Sequence, residues 1–427
     1  MSHRISATLV GLASLLSLAA SPSFATNGYL SHGVSTAQKG TAGAGAALGG
    51  DILSLSTNPA TLIQANNGWE LSASLFTPSR DYGLTDNQGA DSGNELFAIP
   101  QMAVSKRIDD SSRWAFSILA NGGMNTEYKG GAAIGGLPAT VGTFGAGTTG
   151  VDLAQVFMGL TYAKHFAAHN VSAGITGFMA YQTFSATGLA NLASYSVAPT
   201  KVTNNGTDSA SGFGLRAGVQ YQPSPLISLG LSYQPKVEMG KFEDYAGLFA
   251  KQGSFDIPAT WVVGAAFNIA DGGQLMLDVQ HIEYSAVASV GNPMSPLFTQ
   301  CAQGDPSGCL GGAGGAGFGW NDMTVYKLGY QWSADHVNTW RVGYSKTEQP
   351  IDSSEVLFAI LTPAVIEEHF TAGFGHKIDS NSHFDISVMY APENSLSGAN
   401  SLDQSQSRAI TVKMSQFEVA ASYSMGF

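Results

Sequence analysis

Two groupings of histidine and carboxylate could support general acid–base chemistry in this chain. His281 lies three residues after Asp278, and His369 directly follows two glutamates. A histidine beside a carboxylate can activate a serine nucleophile that lies within reach. No serine stands in a recognisable nucleophile context, and Gly43-Ala-Gly45 lacks the third glycine and the strand–helix unit of a dinucleotide-binding motif. We therefore expect a protein that is not an enzyme, with no cofactor and no bound metal.

Three cations could instead bind a carboxylate: Arg216, Lys327 and Arg341. Each stands between apolar residues in a stretch where apolar and polar residues alternate, so each is expected on the polar face of its segment. A guanidinium can hold a carboxylate through two hydrogen bonds, whereas lysine acts as a point charge. Alternatively, each cation pairs with an acid of the same protein. The candidate acids are Asp51, Asp278 and Asp385.

The last eleven residues indicate which element positions such side chains. From Phe417 to Phe427 every odd position is apolar, and every even position is glutamate or a small residue. Alternation with a period of two is typical of a β-strand with one apolar and one polar face. A chain that ends on an aromatic residue in such a strand is typical of a membrane β-barrel, whose aromatic residues lie at the membrane interface.

Composition agrees with a membrane barrel. Only 12% of the 427 residues are charged, and 52 are glycine. An ordinary soluble domain has about 25% charged residues. The net charge of −12 argues against nucleic-acid binding, which requires a basic surface.

The same alternation recurs beyond residue 66, as in 215–221, 227–234 and 326–332. Short polar turns such as 222–225 and 379–382 alternate with long connections such as 287–319. Outer-membrane barrels have this asymmetry, with an even number of strands. The fold class predicted is therefore all-β: a transmembrane antiparallel β-barrel of about 14 strands, occupying residues 67–427.

The amino-terminal residues predict export. A short basic start, an apolar run from Ile5 to Ala20 and the small residues Ser23 and Ala25 form a signal-peptide pattern over residues 1–25. The run is too short to span a membrane comfortably as a helix, which needs about 20 apolar residues. Export together with a barrel predicts the cell outer membrane of a Gram-negative bacterium, with outer-membrane lipid and lipopolysaccharide around the barrel. Phe427 is then the expected contact for the barrel-assembly machinery.

Residues 26–66 do not fit the barrel pattern. This segment is rich in glycine and alanine, has only two charged residues and shows no period of two. Asn58, Pro59 and Ala60 read as the start of a helix, with asparagine as the cap and proline at the first position. About forty residues cannot form their own core. We therefore expect this segment to fold inside the barrel as a plug.

This arrangement resembles the long-chain fatty-acid outer-membrane transporters, the FadL/TodX family. The resemblance is carried by the plug with Asn58-Pro59-Ala60, the carboxyl-terminal Phe427 and three further motifs. These motifs are Gly122-Gly-Met-Asn-Thr126, Phe255-Asp-Ile-Pro258 and Ala391-Pro392. The resemblance implies passive uptake of a hydrophobic small molecule, a fatty acid or in some members an aromatic hydrocarbon. It also implies capture by the outer loops, binding in the lumen, gating by the plug and exit sideways through the wall.

Aromatic and aliphatic residues are the candidates for contacts with such a cargo. Phe157 and Phe178 fall on the inward face of their strands, where they line the lumen or pack against the plug. In residues 240–255, apolar residues recur at helical spacing, which predicts a short amphipathic helix; they are Phe242, Tyr245, Leu248 and Phe249. Its apolar face either forms the capture groove or packs on a neighbouring loop.

Cys301 and Cys309 bracket a turn that contains glycine and proline. In an exported chain this spacing predicts a disulfide that stiffens one loop. A gated general porin or an adhesin remains the alternative to a channel for hydrophobic molecules.

Overall fold

The computed structural model describes residues 27–85, 88–131, 134, 142–269, 272–333, 335–402 and 408–427. The expected signal peptide, residues 1–25, and Thr26 lie outside the described residues. Within the described ranges, no helix is long and apolar enough to cross a membrane.

Fifteen strands occupy most of the described chain. They are β1 Gly68–Leu84, β2 Gly89–Asp91, β3 Phe97–Asp109, β4 Ser112–Tyr128, β5 Thr149–Phe166, β6 Val171–Thr187, β7 Asp208–Ser224, β8 Ile227–Gln234, β9 Thr260–Ile269, β10 Gly273–Ile282, β11 Met323–Ser333, β12 Asn338–Thr347, β13 Glu368–Lys377, β14 Ser382–Ala399 and β15 Ala409–Gly426.

The strands form a closed antiparallel barrel. Each strand from β3 to β15 pairs with its neighbour in sequence, and β3 pairs with β1. The ring closes between β1 and β15, from Gly68 opposite Gly426 to Leu84 opposite Ile410. The short β2 pairs only with β1 and lies outside the ring. Fourteen strands therefore make the barrel among the described residues, as the sequence predicts.

Alternating side chains give the wall two different faces. On β11, Tyr326 and Leu328 are 60% and 43% exposed, whereas Lys327 between them is 6% exposed. On β15, Phe417 and Met425 are exposed and Glu418 is buried. The outer surface is therefore apolar, as lipid requires, and the polar side chains point inward.

The two ends of the barrel differ. Short connections join the strands at one end, at 110–111, 167–170, 225–226, 270–272, 334–337 and 378–381. Long connections lie at the other end, at 85–96, 129–148, 188–207, 235–259, 283–322, 348–367 and 400–408. Strands β4 and β14 extend far toward the long loops, and their pairing with β5 and β15 continues, past one bulge in each, to Tyr128 and Ala399.

Short helices and 3-10 turns lie in the amino-terminal segment, in one tight turn and in the long loops. Their bounds are Thr36–Lys39, Leu53–Ser56, Pro59–Gln64, Ala167–His169, Ala190–Tyr195, Pro199–Lys201, Glu243–Tyr245, Ala250–Gly253, Tyr284–Ala286, Ala288–Gly291, Ser295–Thr299, Cys301–Gln303, Pro306–Gly308, Ser353–Glu355 and Val356–Ala359.

Residues 27–66 lie inside the ring of strands. Thr36–Lys39 contacts β13, β14 and β15, whereas Pro59–Gln64 contacts β4 to β7 on another part of the wall. Inward glycines make room for this segment: a Cβ at Gly218 would overlap Asn58, and one at Gly230 would overlap the backbone of Ala46. A buried ion pair between Lys39 and Glu418 ties the segment to β15.

Candidate substrate pathway

The inward cation Lys327 has a carbonyl as its hydrogen-bond partner. Its Nζ donates to the backbone oxygen of His32 at 3.1 Å. Asp278 stands opposite Lys327 in the β10–β11 pairing. Its Oδ2 instead accepts from the backbone nitrogens of Gly45 and Ala46, both at 2.8 Å. The nearest acid is therefore already used to hold the amino-terminal segment.

Arg216 is also held by neutral groups. It donates to the backbone oxygen of Ser56 and, at 2.7 Å, to Oε1 of Gln234. Among the described residues, no carboxylate accepts a hydrogen bond from Arg216 or Lys327.

Arg341 differs, because it is paired with an acid. Its Nη1 lies 2.6 Å from Oδ1 of Asp385, and His383 contacts the other oxygen of that carboxylate at 3.0 Å. Arg341 therefore pairs with an acid of the same protein, which was the alternative to binding a carboxylate of the cargo.

Arg216 and Lys327 line the same interior cavity of about 80 Å³. The other walls include His32, Asn121 and Gln234. Burial lowers the pKa of His32 well below its ordinary value, and the charges of Lys39 and Lys327 act in the same direction. His32 is therefore neutral at neutral pH, and the lysine and the arginine supply the positive charge of this cavity.

A larger cavity of about 340 Å³ lies at the end with short connections. It is lined by Asp51, Glu70, Arg341 and Asp385, and both plug and wall contribute to it. Burial raises the pKa of Asp51, although a hydrogen bond from Ser35 opposes this shift. The amino-terminal segment lies between this polar cavity and the long loops.

The predicted inward phenylalanines pack against the amino-terminal segment. The rings of Phe157 and Phe178 are stacked with their centroids 4.3 Å apart. They belong to one buried cluster with Leu55 and Leu62 of that segment. The structure thus brings these two residues together, as part of the packing between the barrel wall and the amino-terminal segment.

The predicted helix over residues 240–255 is wrong. The loop contains only Glu243–Tyr245 and Ala250–Gly253, and Lys251 and Gln252 have positive φ angles. The backbone nitrogens of these two residues donate to carbonyls in the 283–322 loop at 2.8 and 2.9 Å. Bonds to a neighbouring loop therefore replace the bonds that a continuous helix would need.

Phe242 and Phe249 are buried beneath the long loops. Both contact the ring of Phe184, at 5.6 and 4.6 Å between centroids. Phe249 and Leu248 line an apolar cavity of about 30 Å³. In the structure this loop packs on its neighbours, which was one of the two alternatives that the sequence left open.

Cys301 and Cys309 are joined by a disulfide in the 283–322 loop. The turn between them is fixed further by Asp305, whose Oδ1 accepts from the nitrogen of Ser307 at 2.9 Å. This bridge lies at the end with the long loops.

Asn58 caps a 3-10 helix and joins the amino-terminal segment to the barrel wall. Its Oδ1 accepts from the nitrogen of Ala60 at 3.0 Å, and Pro59 is the first residue of the helix. Its Nδ2 donates to the carbonyls of Ala46 and Val219, at 2.7 and 3.1 Å. One side chain thus holds two parts of the segment and strand β7 together.

The wall has a break in its pairing between β3 and β4. The two strands pair only from Met102 opposite Ile118 down to the short turn. Residues 97–101 of β3 and 119–126 of β4 have no ladder with each other, and we call these two stretches the wall gap. Within it, residues 122–126 are all buried, so β4 has lost its alternation and turned toward the interior. A bond from Gly93 N to Glu127 O, 2.7 Å long, closes the outer end of the gap.

The amino-terminal residues connect this gap to the long loops. Tyr29 accepts a hydrogen bond at its carbonyl from Gly123 N, 2.9 Å away, beside a β-bulge in β4. Its ring lies 5.2 Å from that of Tyr284, whose hydroxyl donates to the carbonyl of Asn27 at 2.5 Å. A single segment therefore contacts the loop aromatics, the wall gap and, through His32, Lys327.

Sequence reasoning did not single out Tyr29 or the wall gap. The signal for the gap was present in Gly122-Gly-Met-Asn-Thr126, since two glycines interrupt the alternation of β4. No local signal marks Tyr29, because its partners lie in other parts of the chain.

A closed fourteen-stranded barrel with an apolar outer face and an interior amino-terminal segment defines an outer-membrane β-barrel channel. The model of the family described as "outer membrane protein transport protein (OMPP1/FadL/TodX)" matches residues 16–427. The chain therefore belongs to this family of outer-membrane transport proteins, as its resemblance to the FadL/TodX transporters implied. Members of this family are transport proteins, which agrees with the expectation of a channel.

Solved structures share the fold at low sequence identity. The toluene transporter TodX of Pseudomonas putida has 16% identity and a TM-score of 0.67, covering 94% of this chain and 100% of that chain. The FadL homologue of Pseudomonas aeruginosa has 13% identity and a TM-score of 0.66, with the same coverages. The Ralstonia pickettii toluene transporter TbuX has 18% identity and a TM-score of 0.64, covering 93% and 99%. No curated protein sequence matches the chain.

Proposed function

We propose that this protein is a passive channel for long-chain fatty acids. The observation that carries the proposal is the pair of cations, Arg216 and Lys327, on one interior cavity, neither of which has a carboxylate as hydrogen-bond partner in the described part of the chain. A buried charge without a counter-charge is costly. A cargo with one carboxylate and an apolar tail would supply a hydrogen-bonded counter-charge here, since Asp278, the acid opposite Lys327, bonds to Gly45 and Ala46 instead.

The long loops provide the entry. Leu248, Phe249 and Phe318 line a small apolar cavity under these loops, and apolar side chains of this kind are the contacts that an alkyl chain would make there. From there, Tyr29 and the loop aromatics lead down to the cavity with the cations.

The wall gap provides the exit. Residues 119–126 lie seven to fourteen positions from the start of β4. At about 3.3 Å per residue and a tilt near 40°, they lie roughly 18–35 Å above the short-turn end. The lower part of the gap is then within the apolar band, about 25 Å tall, and a cargo leaving there would enter the lipid. Asn121, at the bulge in β4, also lines the cavity with the two cations.

The amino-terminal segment acts as the plug and the gate. Cargo that displaces His32 from Lys327 would also disturb Tyr29, which is bonded to Gly123 at the gap. Movement of one segment would thus couple binding to opening of the wall.

An aromatic hydrocarbon is the second candidate cargo. Two of the similar solved structures are toluene transporters, and the cavity under the loops is apolar. A hydrocarbon has no need of the cations, which would then serve only to hold the plug.

Lys327→Ala separates the two cargoes. We expect the affinity for a fatty acid to fall by about 1.5–3 kcal/mol, the scale of a charge-assisted hydrogen bond, with a smaller loss for the matching fatty alcohol. Uptake of labelled oleic acid and oleyl alcohol by cells that produce the full chain is the measurement. Lys346→Ala is the matched control, since Lys346 is exposed on β12.

Equal losses for acid and alcohol would show that Lys327 is structural. Uptake of toluene but of neither oleyl compound by the unaltered protein would contradict the fatty-acid proposal in favour of the hydrocarbon. Deletion of residues 27–66 should admit small polar solutes. If the unaltered protein already admits them equally well, it is a general porin.

A further inference from the structure

Arg80 is a buried cation at the outer end of the wall gap. It lies on β1, points inward and is 2% exposed. Its Nη1 donates to the backbone oxygen of Asn125 on β4, and its guanidinium carbon lies 5.6 Å from the ring centroid of Phe97 on β3. One side chain therefore touches both edges of the gap.

Two further nitrogens of Arg80, Nε and Nη2, form a fork of donors. Nε and Nη2 are buried and have no hydrogen-bond partner among the described residues. These two N–H groups lie on the same edge of the guanidinium and point in the same direction. They have the spacing that receives both oxygens of one carboxylate.

The protein offers this fork no carboxylate within hydrogen-bonding distance in the described ranges. Phe97 lies against the guanidinium of Arg80, Tyr128 lies near it, and both rings belong to the buried core at this end of the barrel. The exposed Glu95, in the 85–96 loop, attracts the charge of Arg80 without a hydrogen bond to it. A guanidinium in such surroundings gains much from a counter-ion and has none within bonding reach.

The site is separate from the cavity with the two cations. Arg80 and Asn125 lie above the bulge at Asn121, whereas Arg216 and Lys327 lie with Asn121 around that cavity. A carboxylate on Arg80 would be at the outer end of the gap, with the apolar core that contains Phe97 and Met124 beside it for the tail.

We propose that Arg80 binds the carboxylate of the cargo through Nε and Nη2, as a second anion site at the outer end of the wall gap. The inference rests on the proposed uptake of fatty acids and adds a specificity-determining residue to it. Nη1 stays on Asn125 while the fork is occupied, so the bound head group is fixed relative to β4. Arg80 thereby selects a fatty acid over a neutral lipid of the same length at the wall gap. This selection does not depend on Lys327.

Arg80→Gln and Arg80→Lys test the site. Glutamine keeps much of the volume and removes the charge, whereas lysine keeps the charge and removes the fork. We expect uptake of oleic acid to fall roughly tenfold in Arg80→Gln, on the scale of a charge-assisted hydrogen bond, and uptake of oleyl alcohol to stay within about twofold. Arg80→Lys should recover only part of the loss, because a point charge replaces a bidentate partner.

A spectroscopic readout separates binding from structure. Oleic acid labelled with ¹³C at the carboxyl group should show an infrared carboxylate band in the purified full chain that is altered in Arg80→Gln. Arg107→Gln is the matched control, since Arg107 is an exposed arginine at the short-turn end that pairs with Asp110. Heat-modified migration on gels verifies that each variant is folded.

Equal losses of acid and alcohol uptake in folded Arg80→Gln, or an unchanged carboxylate band, would overturn the inference while the fatty-acid channel stands. Failure of the unaltered protein to take up oleic acid would instead overturn the proposed function, and the inference with it.

Discussion

Asp278 is the wall residue whose removal should most directly release the plug. It lies on β10 with its carboxylate buried. One carboxylate oxygen accepts hydrogen bonds from the backbone nitrogens of Gly45 and Ala46, both at 2.8 Å. These two bonds hold the turn of the plug that also contacts Gly230 on the wall. Asp278→Ala leaves both nitrogens without this acceptor and leaves Lys327 without the acid opposite it.

The magnitude follows from the number of bonds. A hydrogen bond to a charged group contributes about 1.5–3 kcal/mol, so two contribute about 3–6 kcal/mol at most. A shift of about 5.5 kcal/mol moves a two-state equilibrium from 1:99 to 99:1. Asp278→Ala should therefore raise the population of the displaced plug substantially, and Asp278→Asn, which keeps an acceptor oxygen without the charge, should have a smaller effect.

Conductance of the purified protein in planar bilayers measures the open population. Deletion of residues 27–66 gives the fully open reference, and Asp110→Ala, at an exposed residue of the short turn, is the matched control. Swelling of liposomes in small sugars provides an independent reading. The contrary result is that folded Asp278→Ala conducts no more than the unaltered protein while the deletion conducts strongly. The carboxylate would then not hold the plug, and the free energy assigned to its two hydrogen bonds would be wrong.

Three further outcomes are expected. The mature chain should begin at Thr26, and an intact mass of outer-membrane material that includes Met1 would contradict export by a cleaved signal peptide. An epitope inserted at Gly304, between Cys301 and Cys309, should bind antibody on intact cells because long loops face outward; binding only after permeabilisation would reverse the orientation. Removal of Phe427, which is exposed at the end of β15, should slow membrane assembly without changing the barrel once it is formed, as measured by pulse-labelled, heat-modifiable protein; an unchanged rate would remove this residue as the contact for the assembly machinery.

The fold could be predicted because its main signal is local. A strand in a membrane wall must present apolar residues on one face, so a period of two is written into each segment, as in 326–332 and 417–427. The difference between the two ends of the barrel could also be predicted, because the length of each connection can be read directly from the sequence. The helix predicted at 240–255 failed because its apolar spacing is satisfied by contacts with other loops, and the backbone of Lys251 bonds to Gly312 instead.

The sequence by itself determined the strands, the inward direction of Arg216, Lys327 and Arg341, and the separate character of residues 26–66. Only the tertiary structure decided what each inward charge meets. Lys39 pairs with Glu418, 379 positions away, and Arg341 pairs with Asp385, whereas two donors of Arg80 have no partner within the described ranges. Such partners depend on how fourteen strands close around one segment, and alternation specifies the face of a residue without specifying its neighbour across the barrel.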